Sequence, residues 1–91
     1  MTILMTSDMP GVTEEQYEHL AAALLSGLRS SDGFISHAAG PIDGGYRVTE
    51  LWTSAEAHRA WFESTVLPML PLDAAPPTVS TQPITTLATR S

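Results

Sequence analysis

Two strand patterns followed by one helix pattern occupy residues 33–61, GFISHAAGPIDGGYRVTELWTSAEAHRAW. Phe34 to Ala39 is short, apolar on balance and bounded by glycines, and Tyr46 to Trp52 is rich in β-branched and aromatic residues. The glycine-rich segment 40–45 between them readily supplies the positive φ angles of a turn. The stretch therefore predicts a β-hairpin that leads into a helix.

That helix is predicted to begin after Ser54, a favourable N-cap residue, and to end at Pro68. Two neighbouring stripes repeat at helical spacing: Ala57, Trp61 and Thr65 in one, and His58, Phe62 and Val66 in the other. An amphipathic helix of this kind packs one face against a sheet.

The residues before the hairpin predict a strand and a helix. Residues 2–7 alternate apolar and polar side chains, and residues 8–11 form a break. Thr13 and Gln16 then match a capping box. Apolar residues follow on one helical face, namely Tyr17, Leu20, Ala21, Leu24 and Leu28. A first strand and a well-capped first helix therefore precede the hairpin.

The residues after the second helix predict a connector and a last strand. Segment 67–77 holds four prolines and no regular element, so it is a rigid connector or a lid over a cavity. Segment 78–89 is rich in Thr, Val and Ile, and Pro83 favours an edge position or a bulge in this strand.

The complete order is β-α-β-β-α-β, which predicts an α+β, ferredoxin-like fold with an antiparallel sheet in one domain, residues 1–91. Two helices cover only one face of a four-stranded sheet. A second copy of the chain is the simplest cover for the other face, so we expect a homodimer.

The composition restricts the partners and the chemistry. The net charge is −6, with ten acidic residues, four arginines and no lysine, so nucleic acid and membrane surfaces are not expected partners. The chain has no cysteine, and its three histidines share no tight metal-ligand spacing. No signal-peptide or membrane-spanning pattern is found, and a cytoplasmic location is expected.

Several short motifs follow one another in this part of the sequence: Gly33-Phe34-Ile35-Ser36-His37, Gly44-Gly45-Tyr46-Arg47-Val48, Glu50-Leu51-Trp52-Thr53-Ser54-Ala55-Glu56-Ala57 and Trp61. Together they resemble the antibiotic biosynthesis monooxygenase-like family of dimeric α+β barrels. The resemblance implies a homodimer whose two sheets pack face to face. It also implies a cavity between sheet and helices in each subunit, and activities that include the oxygenation of aromatic polyketides without a cofactor.

The haem-degrading branch of that family resembles the chain in its inward tryptophan, matched by Trp61. That branch also needs an asparagine on the first strand and an iron-ligating histidine about three turns beyond the tryptophan. This sequence has no asparagine, and Pro71 lies near the position of that histidine. Haem degradation is therefore not expected.

Three residues are candidate catalytic groups, because an oxygenase of this type needs a base beside a dry pocket. Glu50 is a candidate base if it faces the cavity; alternatively it faces solvent or pairs with Arg47. His37 could move a proton near neutral pH, or lie at the dimer interface or within the core. Strand alternation predicts that His37 shares a face with Ile35 and Ala39. The third candidate is His58, which could supply a proton at the pocket mouth, or be a half-exposed surface histidine.

Four residues are candidate substrate contacts. Trp61 and Trp52 could provide flat aromatic walls and indole donors, although a large aromatic residue is often plain core. Tyr46 and Arg47, beside the Gly-Gly turn, could reach the ligand or the partner subunit.

The leading hypothesis is a cofactor-independent monooxygenase of an aromatic, polyketide-like secondary metabolite. A non-oxidative cyclase or isomerase could use the same pocket, and a small-molecule-binding dimer without turnover is the third reading. The residues do not separate the first two, because neither demands a metal or a flavin.

Overall fold

The structure is a computed structural model that describes residues 1–70 and 75–90. The strands are β1 (Ile3–Pro10), β2 (Phe34–Ile42), β3 (Gly45–Trp52) and β4 (Thr78–Pro83), and the helices are α1 (Glu14–Arg29) and α2 (Ala55–Trp61). All strand pairs are antiparallel, in the order β2-β3-β1-β4. The predicted ferredoxin-like α+β fold is confirmed.

Both predicted helix starts are confirmed. The Thr13 hydroxyl accepts from the Gln16 backbone N–H at 3.2 Å, and the Gln16 side chain accepts from the Thr13 N–H at 2.9 Å. Ser54 caps α2 by accepting from the Ala57 N–H at 3.1 Å. These contacts satisfy backbone donors that have no partner inside a helix.

Several predicted boundaries were wrong. β1 continues through the expected break to Pro10, and β2 continues to Ile42, which leaves only a tight turn at residues 43–44. Both extensions have the same cause, since Met9 and Pro41 each lie opposite Tyr46 in the β3 register. Cross-strand pairing has outweighed the local turn propensity of these proline-containing segments.

The end of the second helix also differs from the prediction. The α-helix ends at Trp61, and the chain continues as a π-helical segment (Phe62–Val66) and a short 3₁₀ segment (Leu67–Met69) that includes Pro68. β4 ends at Pro83, well before residue 89, and lies at an edge of the sheet, as Pro83 indicated.

A β-bulge corrects the predicted alternation of β2. The register with β3 shifts between Phe34 and Ser36, so that Phe34 lies opposite Trp52 and His37 lies opposite Glu50. Phe34 and His37 therefore point to the same face, although they are three residues apart. Simple alternation had put them on opposite faces.

The helices and the core lie on one face of the sheet, here called the inner face. Ile3, Met5, Leu28 and Trp52 form the centre of the core, with Phe34 and Trp61 packed against it. The opposite, outer face carries cross-strand pairs such as Leu4 with Leu51 and Thr6 with Thr49. Within the described residues, no helix crosses this outer face. No described helix is long and apolar enough to cross a membrane.

Candidate active site

A cavity of about 80 Å³ lies between the inner face and the two helices. Its lining is mainly apolar, with four titratable side chains: Tyr17, His37, Glu50 and His58. The remaining lining residues are Met5, Ser7, Met9, Leu20, Ala21, Leu24, Leu25, Leu28, Val48, Trp61, Phe62 and Val66. All five apolar-face residues predicted for α1 thus border the cavity.

Glu50 is buried, with 4% of its surface exposed. Its two carboxylate oxygens have different partners: Oε2 accepts from His37 Nδ1 at 2.6 Å, and Oε1 accepts from the Trp52 indole N–H at 2.9 Å. A buried carboxylate needs such donors, because unpaired charge is costly away from water. Glu50 therefore faces the interior, and neither of its alternatives, solvent exposure or a pair with Arg47, is found.

His37 joins this carboxylate to Tyr17. The Tyr17 hydroxyl lies 2.5 Å from His37 Nε2, so both ring nitrogens of His37 have a partner. Burial, reinforced by Tyr46 and Glu50, raises the pKa of Tyr17 above its ordinary value. The phenol therefore keeps its proton and donates to Nε2, while Nδ1–H donates to Glu50. These contacts form a directed chain of hydrogen bonds, here called the relay: Tyr17, His37 and Glu50.

His58 lies on the α2 side of the cavity and is buried, with 6% of its surface exposed. Its ring is edge-on to the Trp52 indole, with centroids 5.7 Å apart, and 6.1 Å from the Phe62 ring. Burial lowers the pKa of His58, an effect that Glu50 partly offsets and Arg59 reinforces. The imidazole is therefore neutral at neutral pH, and the expected surface alternative is wrong.

The two tryptophans have different positions. Trp61 borders the cavity, and it packs close to α1 at Gly27, where an added Cβ would lie 3.7 Å from the indole. Trp52 is completely buried beneath the site, edge-on to Phe34, and is absent from the cavity lining. Its indole N–H is used by Glu50, so Trp52 supports the carboxylate and does not form a wall of this cavity.

Tyr46 and Arg47 also lie away from the cavity lining. Tyr46 is buried, and its ring packs against that of Tyr17 at a tilt of 50°, with centroids 4.7 Å apart. Arg47 points to the outer face, where it makes a two-pronged ion pair with Asp8, at 2.6 and 2.9 Å. The prediction that Arg47 contacts a substrate is therefore wrong for this cavity, because the Arg47 side chain lies on the other side of the sheet.

The sequence did not single out Tyr17 as a functional residue. It was assigned to the apolar stripe of α1, and nothing in that stripe distinguishes a tyrosine that packs from one that donates to a distant histidine. The available signal is the hydroxyl itself, since a tyrosine on a buried helix face usually finds a polar partner. Among residues 1–70 and 75–90, no cluster of three His, Asp or Glu side chains could hold a metal ion.

Comparisons with known proteins agree with this architecture. A family model described as "Antibiotic biosynthesis monooxygenase" matches residues 3–67. None of the curated proteins compared matches the sequence.

Three solved structures show the same fold at low sequence identity. The heme-degrader MhuD from Mycobacterium tuberculosis, with two hemes in its active site, is 17% identical, with a TM-score of 0.65 over 98% of this chain and 100% of that one. A mutant of SnoaB, a cofactor-independent oxygenase from Streptomyces nogalater, is 18% identical, with a TM-score of 0.61 over 97% and 94%. The ActVA-Orf6 monooxygenase from Streptomyces coelicolor, bound to nanaomycin D, is 20% identical, with a TM-score of 0.61 over 99% and 92%.

Proposed function

Because the chain belongs to the antibiotic biosynthesis monooxygenase family, we propose that it is a cofactor-independent monooxygenase of an aromatic, polyketide-like hydroxy compound. The observation that carries the proposal is the pair of partly buried His37 with buried Glu50 at the wall of a mainly apolar cavity. The family model supports this proposal, and the fold is shared with a cofactor-independent oxygenase and with a monooxygenase in complex with nanaomycin D.

The proposed reaction begins with loss of a proton from the substrate. The His37–Glu50 pair accepts this proton, since an imidazolium beside a buried carboxylate is stabilised by their ion pair. The electron-rich anion transfers one electron to O₂, and the resulting radical and superoxide combine to a peroxide. After protonation, the peroxide loses water and leaves a carbonyl. One substrate carbon thus loses two hydrogens and gains one oxygen, and the second oxygen leaves as water.

His58 has a second role in this proposal. As a neutral imidazole on the α2 side of the cavity, it can accept a proton from the substrate and return it to the peroxide. Because the lining is mainly apolar, charges that develop in the cavity interact strongly with its few titratable groups.

The cavity volume implies that the wall moves when a polycyclic substrate binds. About 80 Å³ is less than the roughly 150 Å³ of a cavity that admits benzene. Trp61, Phe62 and Val66 line the cavity where the α-helix changes into the π-helical segment. Such irregular helical turns are common at functional sites, and we propose this wall as the part that opens.

Oxygen consumption tests the proposed function. Wild-type protein should consume O₂ in the presence of an anthrone or a hydroquinone, and chelators should not reduce the rate. Trp61→Ala should lower turnover strongly, because it removes the aromatic wall. Leu67→Ala, at an exposed residue of the neighbouring 3₁₀ segment, is the matched control and should behave as wild type.

Other outcomes of this experiment favour the alternatives. Turnover of a polyketide without oxygen would overturn the oxygenase proposal in favour of a cyclase or isomerase. Ligand binding without any turnover would favour a binding protein. MhuD shares the fold as well, at 17% identity, and the reason against a haem function is that the sequence has no asparagine to match the one that the haem-degrading branch needs. Pro71, which was expected near the position of the iron-ligating histidine of the haem-degrading branch, lies outside the described residues.

We also propose that two chains form a dimer through the outer face. The outer face carries Leu4 opposite Leu51 without cover from a described helix, and every residue of the edge strand β4 is exposed. An edge strand with unburied apolar and β-branched residues needs cover, and a second copy provides it.

A further inference from the structure

We propose that Tyr17 is a catalytic residue of this site: its phenol oxygen receives the hydroxyl proton of the substrate as its own proton passes to His37, and it then holds the substrate phenolate by a hydrogen bond. This inference rests on the proposed function and names a feature of its substrate class, an acidic aromatic hydroxyl.

This assignment follows from the hydrogen-bond partners of the two His37 ring nitrogens. Nδ1 is committed to Glu50 at 2.6 Å, and Nε2 is committed to the Tyr17 hydroxyl at 2.5 Å. A substrate in the cavity therefore finds no free nitrogen on His37. Tyr17 borders the cavity and is only partly buried, so its oxygen is the end of the relay that a ligand can contact.

The direction of proton movement follows from the surroundings of Tyr17. Burial and its neighbours Tyr46 and Glu50 raise the pKa of Tyr17, so a free tyrosinate is disfavoured. The two transfers are therefore coupled. The substrate O–H bond breaks as a new Tyr17 O–H bond forms, and the former Tyr17 O–H bond breaks as His37 Nε2–H forms. The products are a substrate phenolate and an imidazolium paired with Glu50, and the total charge is unchanged.

The position of the Tyr17 ring is fixed from two sides. The Tyr46 ring packs against it at a tilt of 50° with centroids 4.7 Å apart, and the His37 ring lies 6.2 Å away at a tilt of 59°. A phenol held in this way is a preorganised donor for an oxyanion, which is the arrangement that stabilises developing negative charge. A ligand whose hydroxyl is methylated could fill the same apolar space but could not use the relay.

The test measures the ionisation of a bound phenol and needs no turnover. 4-Nitrophenol changes its visible absorbance when it ionises, so its titration can be followed while it is bound to wild-type protein, to Tyr17→Phe and to His37→Gln. Glu18→Gln, at the exposed neighbouring position on α1, is the matched control. Circular dichroism establishes that each variant is folded.

We expect wild type and Glu18→Gln to favour the bound phenolate, and Tyr17→Phe and His37→Gln each to reduce its ionisation constant about tenfold or more. The inference is overturned if Tyr17→Phe holds the phenolate as well as wild type does, or if wild type does not bind the phenolate. If the phenolate binds as expected but no hydroxyl-bearing substrate consumes O₂, the proposed oxygenase function fails, whereas the proton transfer from the bound hydroxyl through Tyr17 to His37 stands.

Discussion

Glu50 shows how one side chain can depend on residues far apart in the chain. Its carboxylate is buried and holds donors from His37 and from Trp52, and it lies at the end of a relay that begins at Tyr17. Without the negative charge, the carboxyl group could not stabilise an imidazolium at His37. Glu50 is therefore the residue whose chemical identity matters most to the proposed reaction.

Glu50→Gln should reduce turnover by roughly 100-fold or more while the protein stays folded, because general-base catalysis contributes effects of that size. The amide keeps the shape of the side chain but removes its charge. Initial rates of O₂ uptake check the prediction, with Glu56→Gln on the exposed first turn of α2 as control. A Glu50→Gln rate within threefold of wild type would exclude Glu50 from the proton-accepting step.

His58 should make stability depend on pH. Burial lowers its pKa in the folded protein, whereas in the unfolded chain it titrates near its ordinary value of about 6.5. Between these two values the unfolded chain binds more protons. The stability associated with neutral His58 is therefore complete above about pH 6.5 and is lost as the pH falls through the lower folded value.

Thermal unfolding of wild type and His58→Gln across about pH 7 to pH 5 tests this effect. The Tm of wild type should fall more steeply toward low pH than that of the variant, and His19→Gln at an exposed position should follow wild type. If the Tm of wild type and of His58→Gln depended on pH in the same way, protonation of His58 would not be coupled to unfolding.

At the scale of elements, Gly33 determines how closely α2 can approach the start of β2. Its φ is +86°, and an added Cβ would lie 2.7 Å from both Ala57 Cβ and Thr53 Oγ1. The Gly33 carbonyl also accepts from the Thr53 N–H at 2.8 Å. This contact places the first turn of α2, and with it His58 and Trp61, over the inner face.

Gly33→Ala should lower the free energy of unfolding by about 3 kcal/mol, since it combines a left-handed backbone with a steric clash. Gly44→Ala separates the two effects: its φ is +77°, but the space around it is open. We expect it to cost about 1 kcal/mol. Urea unfolding measures both values, and equal losses in the two variants would mean that α2 moves away at no cost.

At the scale of the whole molecule, the outer face of the sheet has no cover from a described helix. Leu51 lies on this face opposite Leu4, in the two central strands. A protomer with this face in water would be thinly stabilised for a chain of 91 residues. The dimer remains a prediction, in which burial of the outer face stabilises the folded chain.

Leu51→Glu should abolish the dimer and produce an unfolded chain more readily than a stable monomer, because the charge would be placed in the proposed interface. Sedimentation and circular dichroism report the two properties together. Ala22→Glu, at an exposed position on α1, should leave the dimer intact. A wild-type protein that sediments as a folded monomer would contradict the proposal.

The sequence by itself determined the order of elements, the two capped helix starts, the β2–β3 hairpin and the apolar faces of the helices. Each of these depends on hydrogen bonds or periodicities that span a few residues, such as Thr13 with Gln16. It also pointed to Glu50 and His37, although it left their orientations open.

Only the tertiary structure decided which of these side chains meet. The bulge near Ile35 brings His37 opposite Glu50 and Phe34 opposite Trp52. Helix packing brings Tyr17 to His37 across twenty residues of sequence. Such contacts depend on strand register and on packing between distant segments, which no local pattern encodes. For the same reason the two tryptophans, alike in the sequence, are separated into one at the cavity and one beneath it.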